Sequence, residues 1–349
     1  MDTGDAGYVE GGRVDGGYVV VGAGAIGGTL AYHLAKAGHA VTVVDTDAEH
    51  VRQIAAHGIT VLRGDDRTSM PVAQAVTVDD GRPNRVSRVL LAVKAQATDR
   101  ALDWVEPRLD DDGFVVSLQN GLNEAAIARR VGEHRTVGAF VNLFADVTGP
   151  GEVRDGGLGA LVVGEPDGSD SARVRQVVED LQAWGPAEAS TNVSGYLWSK
   201  LGFGAMLVAT ALVDAPMADL IDRHRDLMHT LAGEVYAVAA AQDIALEAFD
   251  AFDPLPYAGS DAAAADAASD RLVAWLRTQS KNRSGIWRDI AVRRRPTEVP
   301  THYRPVLDLA GRHGIAVPGL RRLLEQIEDV ESGAPMGEDR LGAVAKAVA

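Results

Sequence analysis

The chain has 349 residues, more than one hydrophobic core usually organises, so two domains are expected. Its net charge of -15 argues against a nucleic-acid or anionic-membrane surface, because binding to phosphate groups needs a basic face. The absence of cysteine excludes a disulfide framework, a thiolate nucleophile and cysteine-ligated zinc.

The first fifteen residues are rich in Gly and Asp and contain no apolar core, so they predict neither a signal peptide nor an anchor. We expect residues 1–16 to be a disordered extension and the protein to be cytoplasmic. The apolar run at 205–212 is too short to span a bilayer. None of the nine histidines lies in a metal-ligand pattern, so no metal site is predicted.

The first half of the chain alternates between short apolar strands and helices. The predicted elements are a strand at 18–24, a helix at 25–37, a strand at 40–45, a helix at 48–57, and strands at 72–78, 88–93 and 114–118. This alternation indicates an α/β fold with a doubly wound parallel sheet. The extended segments at 136–165, broken by Gly149-Pro150-Gly151, predict the far edge of that sheet with hairpin turns.

The second half is predominantly helical after a helix near 169–184. The predicted helices are 194–213, 217–242, 262–280, 301–313 and 319–331, with a loop at 253–256. A boundary is therefore expected near 190. It separates a dinucleotide-binding domain (17–190) from a helical substrate and catalytic domain (191–335), and a C-terminal tail follows (336–349).

A glycine-rich turn, Gly22-Ala23-Gly24-Ala25-Ile26-Gly27, joins the first predicted strand to the first predicted helix. Gly22 permits a tight turn, Gly24 lets the backbone approach a pyrophosphate, and Gly27 allows the helix to pack closely on the strand. The helix start offers free N–H groups and a positive dipole end to phosphates. The position of the turn between a strand and a helix predicts a dinucleotide site.

Asp45 ends the second predicted strand, where a carboxylate accepts hydrogen bonds from the adenosine ribose and repels a 2′-phosphate. We therefore expect NAD as cofactor in preference to NADP. Asp47 could share this role. Alternatively, both carboxylates cap the helix that begins near 48.

Four further stretches lie along the chain. They are Leu91-Ala92-Val93-Lys94, Ser117-Leu118-Gln119-Asn120-Gly121, Trp198-Ser199-Lys200-Leu201, and Asp289-Ile290 followed by Arg295-Pro296-Thr297-Glu298. Together with the glycine turn, their order and spacing resemble the ketopantoate reductase (2-dehydropantoate 2-reductase) family over residues 17 to 333. The resemblance implies a Rossmann-type domain followed by an all-helical domain like that of 6-phosphogluconate dehydrogenase. It also implies an active-site cleft between the domains and a homodimer.

The resemblance also implies roles for single residues. Lys200 matches the catalytic lysine that protonates the carbonyl oxygen, and Glu298 matches the acid that holds the substrate hydroxyl. Asn120 matches the residue near the nicotinamide ribose and substrate, and Lys94 matches a lysine that lines the cofactor site. Lys200 needs a pKa lowered toward neutrality for this chemistry, which its apolar helix would supply by desolvation. A lysine at a helix surface is the alternative interpretation.

The chain departs from the family pattern where substrate contacts are expected. The family has Asn four residues after the catalytic lysine, and this chain has Gly204. Gly285 stands at the family's substrate-binding serine, with Ser284 as a stand-in. Two glycines in place of polar side chains predict a roomier pocket and a substrate bulkier than ketopantoate. Arg293, Arg294 and Arg295 could bind a carboxylate or simply form a solvated basic helix end.

Three interpretations follow. The first is reduction of the 2-oxo acid ketopantoate, and the second is the same chemistry on a bulkier 2-oxo acid or ketone. The third, from a different class, is a dinucleotide-sensing protein without turnover, against which the presence of Lys200 and Glu298 argues.

Overall fold

The computed structural model describes residues 16–157, 159–279 and 281–349. The chain divides into two compact units, Met1–Val193 and Ser194–Ala349, where the sequence predicted a boundary near 190. Apart from Gly16, the predicted disordered extension at 1–16 lies outside the described residues. Over the described ranges, the helices are too short or too polar to cross a membrane.

The first unit contains strands and helices in alternation along much of its length. Its strands are β1 (Tyr18–Val21), β2 (Val41–Asp45), β3 (Ile59–Arg63), β4 (Asp66–Met70), β5 (Gln74–Thr77), β6 (Val86–Leu91), β7 (Leu109–Ser117), β8 (Thr136–Val141), β9 (Ala145–Gly149), β10 (Glu152–Asp155), β11 (Leu161–Gly164) and β12 (Ala187–Ala189). Its helices of eight residues or more are α1 (Ala25–Lys36), α2 (Ala48–His57), α3 (Thr98–Val105), α4 (Glu124–Val131) and α5 (Ala172–Leu181).

Eight of these strands form one sheet in the order β12-β11-β8-β7-β6-β1-β2-β5. Neighbouring strands are parallel except for the antiparallel pair of β8 and β11. From β1 the chain winds outward through β2 to β5, then returns to β6 on the other side of β1. The carboxyl ends of β1 and β6 therefore border the point where the winding reverses, which is where ligands bind in sheets of this kind.

Both faces of this sheet are covered by apolar side chains. Val20 and Leu90 pack with Leu30 of α1 in one buried cluster, while Val19 and Leu102 of α3 belong to another. Because successive residues of a strand point to opposite faces, a valine-rich strand such as β1 can bury both. The predicted doubly wound parallel sheet is confirmed.

The segment 136–165 differs from the prediction that it forms the far edge of this sheet. β8 and β11 belong to the large sheet, but β9 and β10 form a hairpin in a second sheet of order β4-β3-β10-β9. β3 and β4, which the sequence did not predict, form the other hairpin of that sheet. The second sheet packs against α1, where Val153 of β10 lies in the same buried cluster as Leu30.

The second unit is built from helices, as predicted. In the described residues they are α6 (Val193–Thr210), α7 (Met217–Arg223), α8 (Arg225–Ala240), α9 (Leu255–Ala258), α10 (Ala262–Thr278), α11 (Gly285–Ala291), α12 (Val299–His313), α13 (Pro318–Glu331) and α14 (Glu338–Val348). The helix predicted at 217–242 is two helices, which meet at His224. Residues 336–349, predicted as a tail, contain α14, whose Leu341 and Val344 are fully buried.

Candidate active site

The glycine turn between β1 and α1 is packed so closely that larger residues do not fit at two of its positions. Gly22 has a φ of 92°, in the left-handed region, and its N–H donates to the carbonyl of Val44. A Cβ on Gly22 would lie 2.8 Å from the backbone N of Val93. A Cβ on Gly27 would lie 1.9 Å from the carbonyl oxygen of Gly22. The turn thus depends on glycine for the close approach of α1 to β1 and β6.

Gly24 differs from its two neighbours in the motif because a Cβ there would meet no protein atom within 4 Å. Gly24 is the N-cap of α1, and no side chain of the described residues caps this helix end. The first turn of α1 also carries no acidic residue. Open space beside uncapped N–H groups fits the pyrophosphate of a dinucleotide, because helix N-termini attract anions.

Asp45 lies against this turn at the end of β2. Its Oδ2 accepts a hydrogen bond from the N–H of Ala23 at 2.8 Å, and its Oδ1 accepts one from Asp47 at 3.0 Å. The capping of α2 falls instead to Asp47, whose Oδ1 accepts from the N–H groups of Glu49 and His50. The interpretation that both carboxylates cap α2 is therefore wrong for Asp45 and correct for Asp47.

His50 is a component of the turn that the sequence analysis missed. Its buried ring accepts a hydrogen bond from the N–H of Gly151 at Nδ1, at 2.9 Å. The ring proton is therefore on Nε2, which donates to the carbonyl of Ala23 at 2.9 Å. His50 joins the glycine turn to the hairpin between β9 and β10. Its neighbour Val51 marks the buried face of α2, the one local signal that this histidine lies inward.

Lys94 and Asn120 follow the carboxyl ends of β6 and β7. Gln119 joins the two segments, since its Nε2 donates to the carbonyl of Val93 at 3.0 Å. The side chain of Asn123 donates to the carbonyl of Asn120 at 2.8 Å, while the Asn120 side chain is exposed. Lys94 and Asn120 therefore lie at the same edge of the sheet as the glycine turn.

Glu124 adds a titratable group at this edge that the sequence did not reveal. It begins α4, and burial raises the pKa of its carboxyl group to about 7. Its Oε1 is buried without a hydrogen-bond partner among the described residues. Nothing in the local sequence distinguishes it from an ordinary acidic residue in the first turn of a helix.

Lys200 lies in the middle of α6, in the second unit. Burial lowers the pKa of its ammonium group from the usual 10.5 to about 8, and the charges of Asp250 and Glu298 partly oppose this shift. The helix is apolar over most of its length, as Leu197, Trp198 and Leu201 are all buried. The direction of the shift is the one that the sequence analysis required for a proton donor.

Two carboxylates accompany Lys200. Glu298 immediately precedes α12, and its Oε1 lies 3.8 Å from Nε2 of His302. Asp250, which the sequence analysis missed, lies in the loop before α9 with a positive φ of 49°. Asp tolerates this conformation better than most residues, but no sequence signal places its charge beside Lys200. The structure therefore brings Glu298 and Asp250, from distant parts of the sequence, into the electrostatic surroundings of Lys200.

The space expected beside Gly204 is filled. A Cβ on Gly204 would lie 2.7 Å from the hydroxyl oxygen of Tyr303, which is buried and donates to the carbonyl of Leu201. The prediction of a roomier pocket is therefore wrong at this position. A side chain about a hundred residues downstream occupies the volume that a family asparagine would need, which a local sequence pattern cannot indicate.

Ser284 and Gly285 lie at the start of α11. The Ser284 hydroxyl accepts from the N–H of Trp287 at 3.2 Å and caps the helix, with 5% of the residue exposed. A Cβ on Gly285 would meet nothing within 4 Å, so this position is open. Nearby, Arg293 and Arg295 both bind Asp289, each at 2.9 Å. These two arginines are thus paired with a carboxylate of the chain itself, while 32% and 45% of their side chains stay exposed.

Comparison with known proteins gives one family across both units. The family model described as ketopantoate reductase PanE/ApbA matches residues 18–168, and its C-terminal counterpart matches residues 192–331. A 2-dehydropantoate 2-reductase of Mesorhizobium japonicum is 29% identical over 247 residues, which cover 63% of this chain and 74% of the relative. The corresponding enzyme of Halobacterium salinarum is 28% identical and covers 88% of this chain and 97% of the relative.

Solved structures agree in fold. A PanE/ApbA family ketopantoate reductase from Ralstonia eutropha superposes with a TM-score of 0.74 at 26% identity, over 90% of this chain and 98% of that one. A ternary structure of D-mandelate dehydrogenase with NADH and anilino(oxo)acetate gives a TM-score of 0.76 at 21% identity, with the same coverage. The second likeness is evidence for the fold alone.

Proposed function

The chain belongs to the ketopantoate reductase family of oxidoreductases, and on this premise we propose that it transfers hydride from a nicotinamide cofactor to the ketone of a 2-oxo acid, with Lys200 as general acid. The observation that carries the proposal is the ammonium group of Lys200, which lies half-buried on an apolar helix, where desolvation lowers its pKa to about 8. A surface lysine would keep its ordinary pKa and remain a poor proton donor near neutral pH.

The chemistry follows from this group. A bound nicotinamide would supply the hydride that forms the new C–H bond at the carbonyl carbon. Negative charge then develops on the carbonyl oxygen, where the Lys200 ammonium group stabilises it and transfers a proton to give the hydroxyl. The neutral amine regains its proton from water. Glu298 accepts a hydrogen bond from a hydroxyl group of the substrate and so orients the ketone.

The first unit offers the groups that would hold the cofactor. The backbone of residues 22–27 would bind the pyrophosphate at the start of α1, beside the open position of Gly24. The Asp45 carboxylate would accept hydrogen bonds from the adenosine ribose hydroxyls. Each of its oxygens keeps a lone pair for this after accepting from the N–H group of Ala23 or Asp47. Lys94 and Asn120 would lie toward the nicotinamide ribose.

We expect the protein to prefer NADH to NADPH, and Asp45→Asn to lower that preference by about tenfold, or about 1.4 kcal/mol. The carboxylate repels the 2′-phosphate of NADPH and binds the ribose of NADH, and the amide does neither as well. The measurement is kcat/KM for both cofactors. Asp47→Asn is the matched control, because Asp47 caps α2 and Asn caps a helix about as well as Asp, so both the stability and the preference should stay nearly unchanged. A strong NADPH preference in the unaltered protein would contradict this assignment.

A bulkier substrate than ketopantoate is the second candidate, and it now depends on Gly285 alone. This position is open, whereas Tyr303 occupies the space beside Gly204. We expect bulkier 2-oxo acids to give higher kcat/KM values than ketopantoate when cofactor oxidation is followed with a panel of 2-oxo acids. A preference for ketopantoate would restrict the function to ketopantoate reduction. If none of the 2-oxo acids tested gives cofactor oxidation, the enzymatic function is contradicted instead.

A further inference from the structure

Two buried tyrosines hold the turn of α6 that carries Lys200. Tyr236 of α8 donates from its hydroxyl to the carbonyl of Ser199 at 3.1 Å, and Tyr303 of α12 donates to the carbonyl of Leu201 at 2.7 Å. Both are almost fully buried, at 2% and 4% exposure. The residues immediately before and after Lys200 are thus each fixed by a hydrogen bond from another helix.

Two glycines make these contacts possible. A Cβ on Gly202 would lie 2.2 Å from the ring of Tyr236, and one on Gly204 would lie 2.7 Å from the hydroxyl of Tyr303. Both glycines lie within a helix, where glycine is unfavourable by about 1 kcal/mol relative to alanine. Their presence in α6 is explained by the two tyrosines that pack into the space they leave.

Tyr303 has a second property that Tyr236 lacks, because the helix that carries it, α12, follows directly after Glu298. Glu298 is the N-cap of α12, and Tyr303 follows it in the same helix. The hydroxyl of Tyr303 therefore connects the helix of Glu298 to the backbone next to Lys200. Ser199 makes a similar connection to the other carboxylate, because its Oγ accepts from the N–H of Glu247, three residues before Asp250.

We propose that Tyr303, seated in the space left by Gly204, is a positioning residue that sets Lys200 against Glu298 for proton transfer. Where the family has Asn, this chain has Gly204, and the Tyr303 hydroxyl occupies the space that an asparagine side chain would need. The proposal rests on the proposed function, in which Lys200 is the general acid. Rigid placement matters there because small errors in the position of a proton donor cost large factors in rate.

The first test is Tyr303→Phe, which removes the hydroxyl and keeps the ring. We expect kcat to fall by about tenfold with little change in the KM of the cofactor. We also expect the pKa of Lys200 to rise toward its ordinary value, because a looser turn admits water. Nζ of the lysines can be titrated by NMR after lysine ¹⁵N labelling, since the chain has only five lysines and Lys200→Ala identifies the signal.

Tyr257→Phe is the matched control. Tyr257 is a buried tyrosine of the same unit whose hydroxyl contacts Ser269 of α10 at 3.3 Å, and not a carbonyl of α6. If Tyr303→Phe lowers stability no differently from Tyr257→Phe and leaves both kcat and the Lys200 titration unchanged, Tyr303 is a structural residue and the proposal is wrong. The titration needs no substrate, so it remains informative even if the proposed reaction fails.

The second test uses Gly204→Ala in two backgrounds. In the unaltered protein the new methyl group collides with the Tyr303 hydroxyl, whereas in Tyr303→Phe its nearest neighbour of that ring is Cζ at 3.9 Å. We therefore expect Gly204→Ala to lower kcat by about tenfold alone and by less than twofold in the Tyr303→Phe background. Gly311→Ala is the control, because a Cβ there meets nothing within 4 Å. If the kcat losses of the two single substitutions multiply fully in the double variant, Gly204 and Tyr303 are not coupled.

Discussion

Lys200→Ala should lower kcat for ketone reduction by about 10²–10⁴-fold, the usual contribution of a positioned general acid. The variant loses both the proton donor and the positive charge beside the developing oxyanion. Affinity for the cofactor should stay nearly unchanged, because Lys200 lies in the second unit and the glycine turn in the first. Steady-state kinetics with saturating cofactor measures the loss, and fluorescence titration measures cofactor binding.

The controls for this result are two lysine substitutions of different kinds. Lys36→Ala alters an exposed lysine at the end of α1 and should leave kcat unchanged. Lys200→Arg keeps the positive charge but cannot release a proton near neutral pH, so its kcat should lie between those of Lys200→Ala and the unaltered protein. Cofactor turnover that survives Lys200→Ala would remove Lys200 from its proposed role.

The same lysine sets the pH dependence. Lys200 must be an ammonium ion to donate, and its pKa is about 8. The rate of reduction should therefore be full below this pH and fall as the pH rises through it. The reverse reaction, oxidation of the hydroxy acid, needs the neutral amine and should rise over the same range. Profiles of kcat against pH in both directions measure this, and a Lys200 variant should lose the transition near pH 8 in each.

Much of the fold follows from local pattern. β1 is a run of valines after Tyr18, and such runs buried on both faces are characteristic of parallel sheets. The glycine turn also follows from local pattern, because Gly22 and Gly27 each answer a backbone requirement at their own position. The hairpin of β3 and β4 escaped prediction because β4 consists mostly of exposed polar residues, without an apolar alternation to detect.

The sequence predicted less of the candidate site, because several of its contacts join residues that are far apart in the sequence. Gly204 predicted empty space beside Lys200. The structure shows that this space is filled by the side chain of Tyr303, which lies on a helix far along the chain. Asp250 and His50 act on residues that only the folded chain brings near them, since the charge of Asp250 raises the pKa of Lys200 and His50 binds the carbonyl of Ala23. Sequence patterns predict residues whose role depends on their own backbone, but they do not predict which distant side chain occupies a given space.

The glycine turn provides the other large expected effect. Gly27→Ala should abolish measurable dinucleotide binding and lower the stability of the protein without cofactor, because its methyl group would lie 1.9 Å from the Gly22 carbonyl oxygen. That oxygen belongs to the backbone, so relief requires α1 to move away from β1. A melting curve of the cofactor-free protein should shift to lower temperature.

Gly24→Ala separates the role in the fold from the role in binding. Its φ of -64° suits alanine, and the added methyl group meets no protein atom within 4 Å. The variant should therefore melt like the unaltered protein, yet bind NADH at least tenfold more weakly, about 1.4 kcal/mol, if the open space belongs to the pyrophosphate. Unchanged NADH affinity in Gly24→Ala would show that the dinucleotide does not approach the turn there. Because Gly27→Ala disturbs both the fold and the binding of NADH, the two variants must be compared to identify which glycine lies against the ligand.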